Sequence, residues 1–368
     1  NVGELTYKNH RYENILLEGL WIRHNLQLAI ASADPAATLD AQIKGHFDGR
    51  QPSDVDAHID LRHLNPSALG LNHKLLDGHT YTATIDGHLD ALPLRGLAVH
   101  VKDFQMDGRS SCYVPFIDLQ LQPSARGTHA ILNADFARVE VDGPLGADAI
   151  GQLARHLRST LLQPRDTTGV AHPSNNEWEI HARCTNTEFL NKVLNIDFHL
   201  DGDAFVEGRI GGPNDEAMLS FHTPGLQFGS TRIGRPSLYL RGSQGAYSLL
   251  ARGNKQMGQS LMTLELNAQT RHDTLTTHLA WEDEGKHHFC GAVQATSYAE
   301  AGGKWLTRFH PTDIIIKDTL WQMSPGSLRW SKEAIEMNRI GMQRAGQSLH
   351  VSGRLSRNPN DVLTADLK

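Results

Sequence analysis

The sequence predicts an all-β fold: an elongated, curved, open antiparallel sheet (a half-pipe or β-taco groove) carrying one or two short amphipathic helices. Three observations predict it. Apolar and polar residues alternate in short runs almost end to end, so each run has one apolar and one polar face, because strand side chains point to opposite sides with period two. Gly, Pro, Asn or Asp closes these runs about every ten residues, the rhythm of antiparallel hairpins and meanders. Finally, 368 residues exceed the roughly 250 to 300 that one core serves. The hydrophobic fraction of 39% is also low for an ordinary two-layer globule, which favours an array that grows without thickening.

The elements follow in order. Leu26, Leu28 and Ile30 open the series, and Ile43 and Phe47 follow the Asp34-Pro35 turn. Ile59 and Leu61, Ile85 and Leu89, Leu97 and Val99, then Ile117, Leu119 and Leu121, then Val139 and Val141 repeat the pattern. It breaks at Gly143-Pro144, after which Leu145, Ile150, Leu153, Leu157 and Leu161 recur at helical spacing up to Pro164. This predicts an amphipathic helix from Leu145 to Leu162 and then a polar loop, together an insertion at about 144–177. Its apolar stripe needs a surface, so the helix is expected in or across the mouth of the groove.

Trp178, Ile180 and Ala182 restore strand character. Thr185-Asn186-Thr187-Glu188 reads as a capping box for a short helix at about 186–195, with Phe189, Leu190, Val193 and Leu194 on one face. Strand runs then resume with Phe198 and Leu200, Leu238 and Leu240, Leu264 and Leu266, Leu279 and Trp281, and Leu349 and Val351, with a hairpin turn at Glu284-Gly285. No strict repeat of the β-helix or propeller kind occurs. The whole chain, 1–368, therefore reads as one continuous β-groove segment, beginning and ending in strand sequence as an internal piece of a longer protein does.

A formal net charge of −6 gives no electrostatic basis for nucleic-acid binding, which depends on Lys and Arg neutralising phosphates. No stretch reaches the roughly 20 consecutive apolar residues of a membrane helix. Cys112, Cys184 and Cys290 lie far apart and form no Cys-x-x-Cys pair. Asp54, Asp56, His58 and Asp60 share the polar side of one strand, a pattern compatible with calcium or acid/base work but equally with an ordinary solvated face, and the solvated face is preferred. His181 with Cys184, and His287-His288 with Cys290, supply too few ligands locally for zinc. No nucleophile elbow or phosphate loop occurs, so no catalytic residue, metal or cofactor is expected.

What remains is the apolar face. In a closed sandwich two such faces would cover each other. In a single curved sheet the face stays open, far larger than the few hundred Å2 of apolar patch a soluble monomer tolerates, so it must hold a ligand. An extended apolar trough fits acyl chains. The candidate lining is the set of alternating apolar strand residues named above, from Leu26 to Val141 and from Phe198 to Val351.

The C-terminal stretch Pro311-Thr312-Asp313-Ile314-Ile315-Ile316-Lys317-Asp318-Thr319-Leu320-Trp321, with Gln347-Ser348-Leu349-His350-Val351-Ser352-Gly353 and Ser356-Arg357-Asn358-Pro359-Asn360-Asp361, resembles the TamB family of AsmA-like proteins. The resemblance implies a periplasmic segment of an inner-membrane-anchored protein, with membrane contact through regions outside this chain. It further implies a lipid conduit that shields phospholipid acyl chains between the inner and outer membranes, with a TamA-like outer-membrane barrel as partner. Two rivals stand beside this reading. One is a scaffold or chaperone for outer-membrane β-barrel proteins, using sheet edges. The other is a carbohydrate-active β-solenoid enzyme, which requires carboxylates clustered on a concave face.

Overall fold

The computed structural model describes all residues except 1, 8–9, 50, 71–77, 92–93, 146–175, 258–259, 272–273, 285–287, 301–303 and 359. The described residues hold 27 strands and one helix, and every strand pairing with a defined register is antiparallel. Contacts divide the chain into two units, Asn1–Pro144 with Ile180–Phe205, and Leu145–Glu179 with Val206–Lys368.

In the first unit ten strands form a meander in which each pairs with its predecessor. They are β1 (Val2–Tyr7), β2 (His10–Ile22), β3 (Asn25–Asp34), β4 (Ala37–Asp48), β5 (Gln51–Leu64), β6 (His79–Ala91), β7 (Leu94–Gly108), β8 (Cys112–Ser124), β9 (Gly127–Ala134) and β10 (Ala137–Gly143). Most connections are only two or three residues long, the short links that antiparallel neighbours permit, whereas β5 and β6 are joined by the longer stretch 65–78. Asp34 fixes one of them: its buried carboxylate accepts the N–H of Ala36 at 2.7 Å and that of Glu13 at 2.9 Å. The strands β11 (Glu177–Cys184), β12 (Phe198–Leu200) and β13 (Ala204–Gly211) follow.

Helix α1 (Glu188–Leu194) sits between β11 and β12. It exists where the spacing of Phe189, Leu190 and Val193 predicts it, but its start is not the expected capping box. Thr187, not Thr185, precedes the first turn, and its hydroxyl donates to the Phe198 carbonyl at 2.6 Å. The Thr185 hydroxyl donates to the Asp135 carbonyl instead, and Asn186 Oδ1 takes the N–H of Glu188 at 2.8 Å. Tertiary acceptors outcompete the local cap. Asn195, in left-handed conformation at φ 52°, closes the helix. Phe189 stacks on Phe136 with ring centroids 4.6 Å apart and meets Phe104 edge-on at 6.0 Å, joining a small core of Val114, Ala134 and Phe136. The longer helix expected between Pro144 and Pro164, with its polar loop, falls on 146–175, outside the described residues.

The second unit continues with β14 (Glu216–His222), β15 (Gly225–Phe228), β16 (Thr231–Ser243), β17 (Ala246–Met257), β18 (Ser260–Arg271), β19 (Thr274–Asp283) and β20 (Phe289–Glu300). Both β14 and β15 pair with β16, and β16 to β20 form a meander. Strands β19 and β20 pair as an antiparallel hairpin with Glu282 opposite Cys290, and the predicted turn at Glu284-Gly285 runs into 285–287, outside the described residues. Buried Asp283 anchors the hairpin by accepting the N–H groups of His288 at 3.3 Å and Phe289 at 3.1 Å.

Beyond β20 the ladder forks. One half of β20 pairs with β21 (Lys304–His310) and the other with β22 (Thr312–Ile316). These continue through β24 (Gly326–Trp330) and β23 (Thr319–Ser324), and both branches meet β25 (Ala334–Arg344), followed by β26 (Gln347–Ser356) and β27 (Leu363–Leu367).

Neither unit builds a thick core. Alanine is the commonest buried apolar residue among the described residues, and the largest fully buried apolar side chains are Trp178, Met106, Ile210 and Val114.

Candidate functional site

Residues directly opposite one another in an antiparallel pair point to the same side, so the registers show which side chains share a face. In the first unit one row crosses nine strands: Gly19, Leu28, Ile43, Ala57, Gly87, Val99, Leu119, Leu132 and Val139. A second row runs Leu17, Ile30, Ala41, Ile59, Ile85, Val101, Ile117 and Ala134. A third runs Trp21, Leu26, Gly45, Val55, Leu89, Leu97, Leu121, Ala130 and Val141. Leu61, opposite Ala83, extends the face.

Phe47 lies past a register shift, yet its ring reaches Trp21 at 4.9 Å and so joins the same side. Gly45 makes room for it, since a Cβ there would stand 3.0 Å from the Phe47 ring. All the predicted lining residues from Leu26 to Val141 thus share one face.

The second unit repeats the arrangement. Phe221, Leu238, Ala251, Leu266, Leu279 and Val293 form one row, and Gly253, Leu264, Trp281, Gly291, Ile314 and Trp321 the next. Leu240 falls between Leu219 and Leu249. Leu349 faces Met342, and Val351 faces Ile340, on the side that also carries Met323. Gly291 leaves space for the Trp281 indole, whose ring a Cβ would meet at 3.0 Å. Phe198 and Leu200 share the half-buried side of β12, with His199 exposed between them.

These faces are apolar but not sealed. Leu28, Ile43, Val99, Leu119, Leu132 and Val139 are all half-buried, and Trp21 is 52% exposed. The helix α1 covers one end of the first face, where Phe189 packs against Phe104 and Phe136. Sequence periodicity gives every second residue of a strand, so Leu132, Val293, Ile314, Trp321, Met323 and Met342 were legible only as alternating residues and not as members of a shared face. Register supplied that.

The opposite face of the first unit is a grid of charge. One row reads His58, Asp86, His100 and Asp118 across β5 to β8. His58 Nδ1 lies 2.6 Å from Asp86 Oδ1, and His100 pairs with Asp118. Asp86 also takes Lys102 at 3.4 Å, and these partners, His58 first, hold its carboxyl below the usual range. The neighbouring row places His88 opposite Asp56, 2.8 Å away, and that hydrogen bond raises the His88 pKa above its ordinary value.

Beside Ala98, whose small side chain leaves a gap, these groups line a depression of about 590 Å3. In the second unit a similar hollow of about 530 Å3 is lined by polar-face residues including Asn267, His278, Gln294 and His310. Ala57, Gly87, Val99 and Leu119 of the first apolar row also border the first hollow, and Gly19, Leu28 and Ile43 border another of about 290 Å3.

Burial raises the thiol pKa values of Cys112, Cys184 and Cys290, which keeps them protonated. Among the described residues no helix is long and apolar enough to cross a membrane, which leaves β-barrel crossing unaddressed. No protein-family model, curated protein or solved structure matches this chain.

Proposed function

We propose that this chain is a non-enzymatic lipid conduit of the TamB-like kind, a periplasmic segment whose apolar sheet face shields phospholipid acyl chains. One observation carries the reading: three adjacent apolar rows cross the first unit, and their large side chains stay half-exposed. A face of that extent is costly to leave in water, at roughly 25 cal/mol per Å2 of apolar surface, and an acyl chain relieves the cost at about 0.8 kcal/mol per methylene. Because the rows are chemically uniform, a bound chain has no single deep well and can move along them. Passage of this kind needs neither a nucleophile nor a cofactor. By the same resemblance the outer-membrane partner is a TamA-like barrel, and the anchor lies outside this chain.

The test is site-specific photo-crosslinking in cells. A photoreactive residue at Leu119 or Leu28 should capture phospholipid, and one at Gln120 or Gln27, on the opposite face, should not. Crosslinks to unfolded outer-membrane proteins from the same apolar positions, without lipid, would favour the chaperone reading instead. Bound glycan would favour the enzyme.

A further inference from the structure

The polar face of the first unit brings Asp54 and Asp56 of β5 into a square with His88 and Asp90 of β6: Asp54 stands opposite Asp90, and Asp56 opposite His88. Like charges placed directly across a ladder are destabilising. The sheet has another such pair, Asp40 and Asp60, and there Arg62 bridges both carboxylates. At the square no arginine or lysine among the described residues takes that place. Lys44 stands opposite Asp56 and His46 opposite Asp54, while His58 and Asp86 occupy the next positions along the face.

His88 is instead the group held between carboxylates. Its Nδ1 is 2.8 Å from Asp56 Oδ1, a hydrogen bond, whereas its Nε2 is 4.0 Å from Asp54 Oδ2. The second gap is too wide for a hydrogen bond. Two ligands that each reach about 2.0 to 2.2 Å to one tetrahedral ion stand about 3.3 to 3.6 Å apart, and a shift of roughly half an ångström by these two half-exposed side chains brings them to that spacing. One ligand atom from each of Asp54, Asp56 and His88 lies within 4.8 Å of the others.

We propose that this square is a binding site for one divalent transition-metal ion of the zinc type, with His88 Nε2 and the Asp54 carboxylate as ligands. Asp56 holds the Nδ1 proton and so fixes the ring, the carboxylate–imidazole–metal arrangement that orients metal-bound histidines generally. Asp90 adds negative charge from across the ladder. An imidazole with carboxylates suits zinc, cobalt or nickel better than calcium or magnesium, which take oxygen ligands alone. Asp56 and His88 also wall the depression above the face, which leaves water access to the remaining coordination positions, as in an open site. The site lies on the side opposite the apolar rows and is independent of what those rows carry.

Zinc titration of the chelator-stripped protein against a chromophoric competitor tests this. The variants are His88→Asn, Asp54→Asn and Asp56→Asn, with His278→Asn as a control for incidental histidine binding, each checked for a native circular dichroism spectrum. The unaltered protein and His278→Asn should bind one more zinc than His88→Asn and Asp54→Asn, and Asp56→Asn should weaken that site about 10- to 100-fold. Equal zinc uptake by the unaltered protein and His88→Asn overturns the proposal. So does a site that prefers calcium and survives His88→Asn, and uptake of less than one zinc by the unaltered protein overturns it without any variant.

Discussion

Leu119 stands directly opposite Val99, and the two share the apolar face, while the adjacent residues Asp118 and His100 pair on the polar one. The two faces can therefore be altered one position apart. Leu119→Arg puts a charge on a half-buried site from which its guanidinium still reaches water, so the protein should fold with a loss of about 1 to 2 kcal/mol, well short of the 4 or more of a charge sealed in a core. Lipid crosslinking from neighbouring rows should fall several-fold. Gln120→Arg is the matched control, since Asp118 is committed to His100. Thermal unfolding and crosslink yield read both, and a Leu119→Arg protein that cannot fold would show the face to be a closed core.

The Asp34 turn should be one of the stiffest points of the first unit. Asp34→Ala leaves the N–H groups of Ala36 and Glu13 without their carboxylate acceptor in a buried place, so it should cost about 1 to 3 kcal/mol. Asp283→Ala removes the corresponding acceptor for His288 and Phe289 and should cost a similar amount. Urea midpoints measure both, and midpoints within error of the unaltered protein would show that water replaces these acceptors.

Phe189 ties α1 to the sheet through the rings of Phe104 and Phe136. Because the ring is only partly buried, Phe189→Ala should cost about 2 kcal/mol, below the range for a fully buried phenylalanine. Hydrogen exchange should show faster opening of Glu188–Leu194 with the ladders of β5 and β6 unchanged. Global loss of protection would mean that α1 belongs to the unit's cooperative core.

In the second unit, hydrogen bonding from Arg329 holds the Glu300 carboxyl below its ordinary pKa. A folded value lower than the unfolded one means stabilisation that is complete above the unfolded value and lost as pH falls through the folded one. The stability difference between the unaltered protein and Glu300→Gln should therefore be largest near pH 7 and shrink below the carboxylate range. Added salt should reduce it further, because the pair is exposed. A difference independent of pH would assign the effect to packing.

The fold class was legible because strand periodicity is written into residues such as Leu26, Leu28 and Ile30 one after another, and local alternation needs no knowledge of neighbours. The shared faces were half legible. Ile59 announces which side of its strand is apolar, but only the register places it between Ala41 and Ile85.

The helix α1 was readable from its apolar spacing, and its cap was not, since the groups that capture Thr185 and Thr187 come from Asp135 and Phe198, distant in sequence. The square of Asp54, Asp56, His88 and Asp90 was hidden for the same reason. Asp54 and Asp56 on one strand look like any solvated face until His88 arrives 32 residues later.

In the first unit every strand from β2 to β10 lies against the strand that immediately precedes it in the chain. A newly emerged strand therefore finds its template already in place and waits for nothing downstream. Such a sheet can be laid down progressively as the polypeptide is delivered, with one unsatisfied edge advancing by a strand at a time. Pulled from either end, it should come apart in the same increments, as a sequence of small rips and not one large rupture.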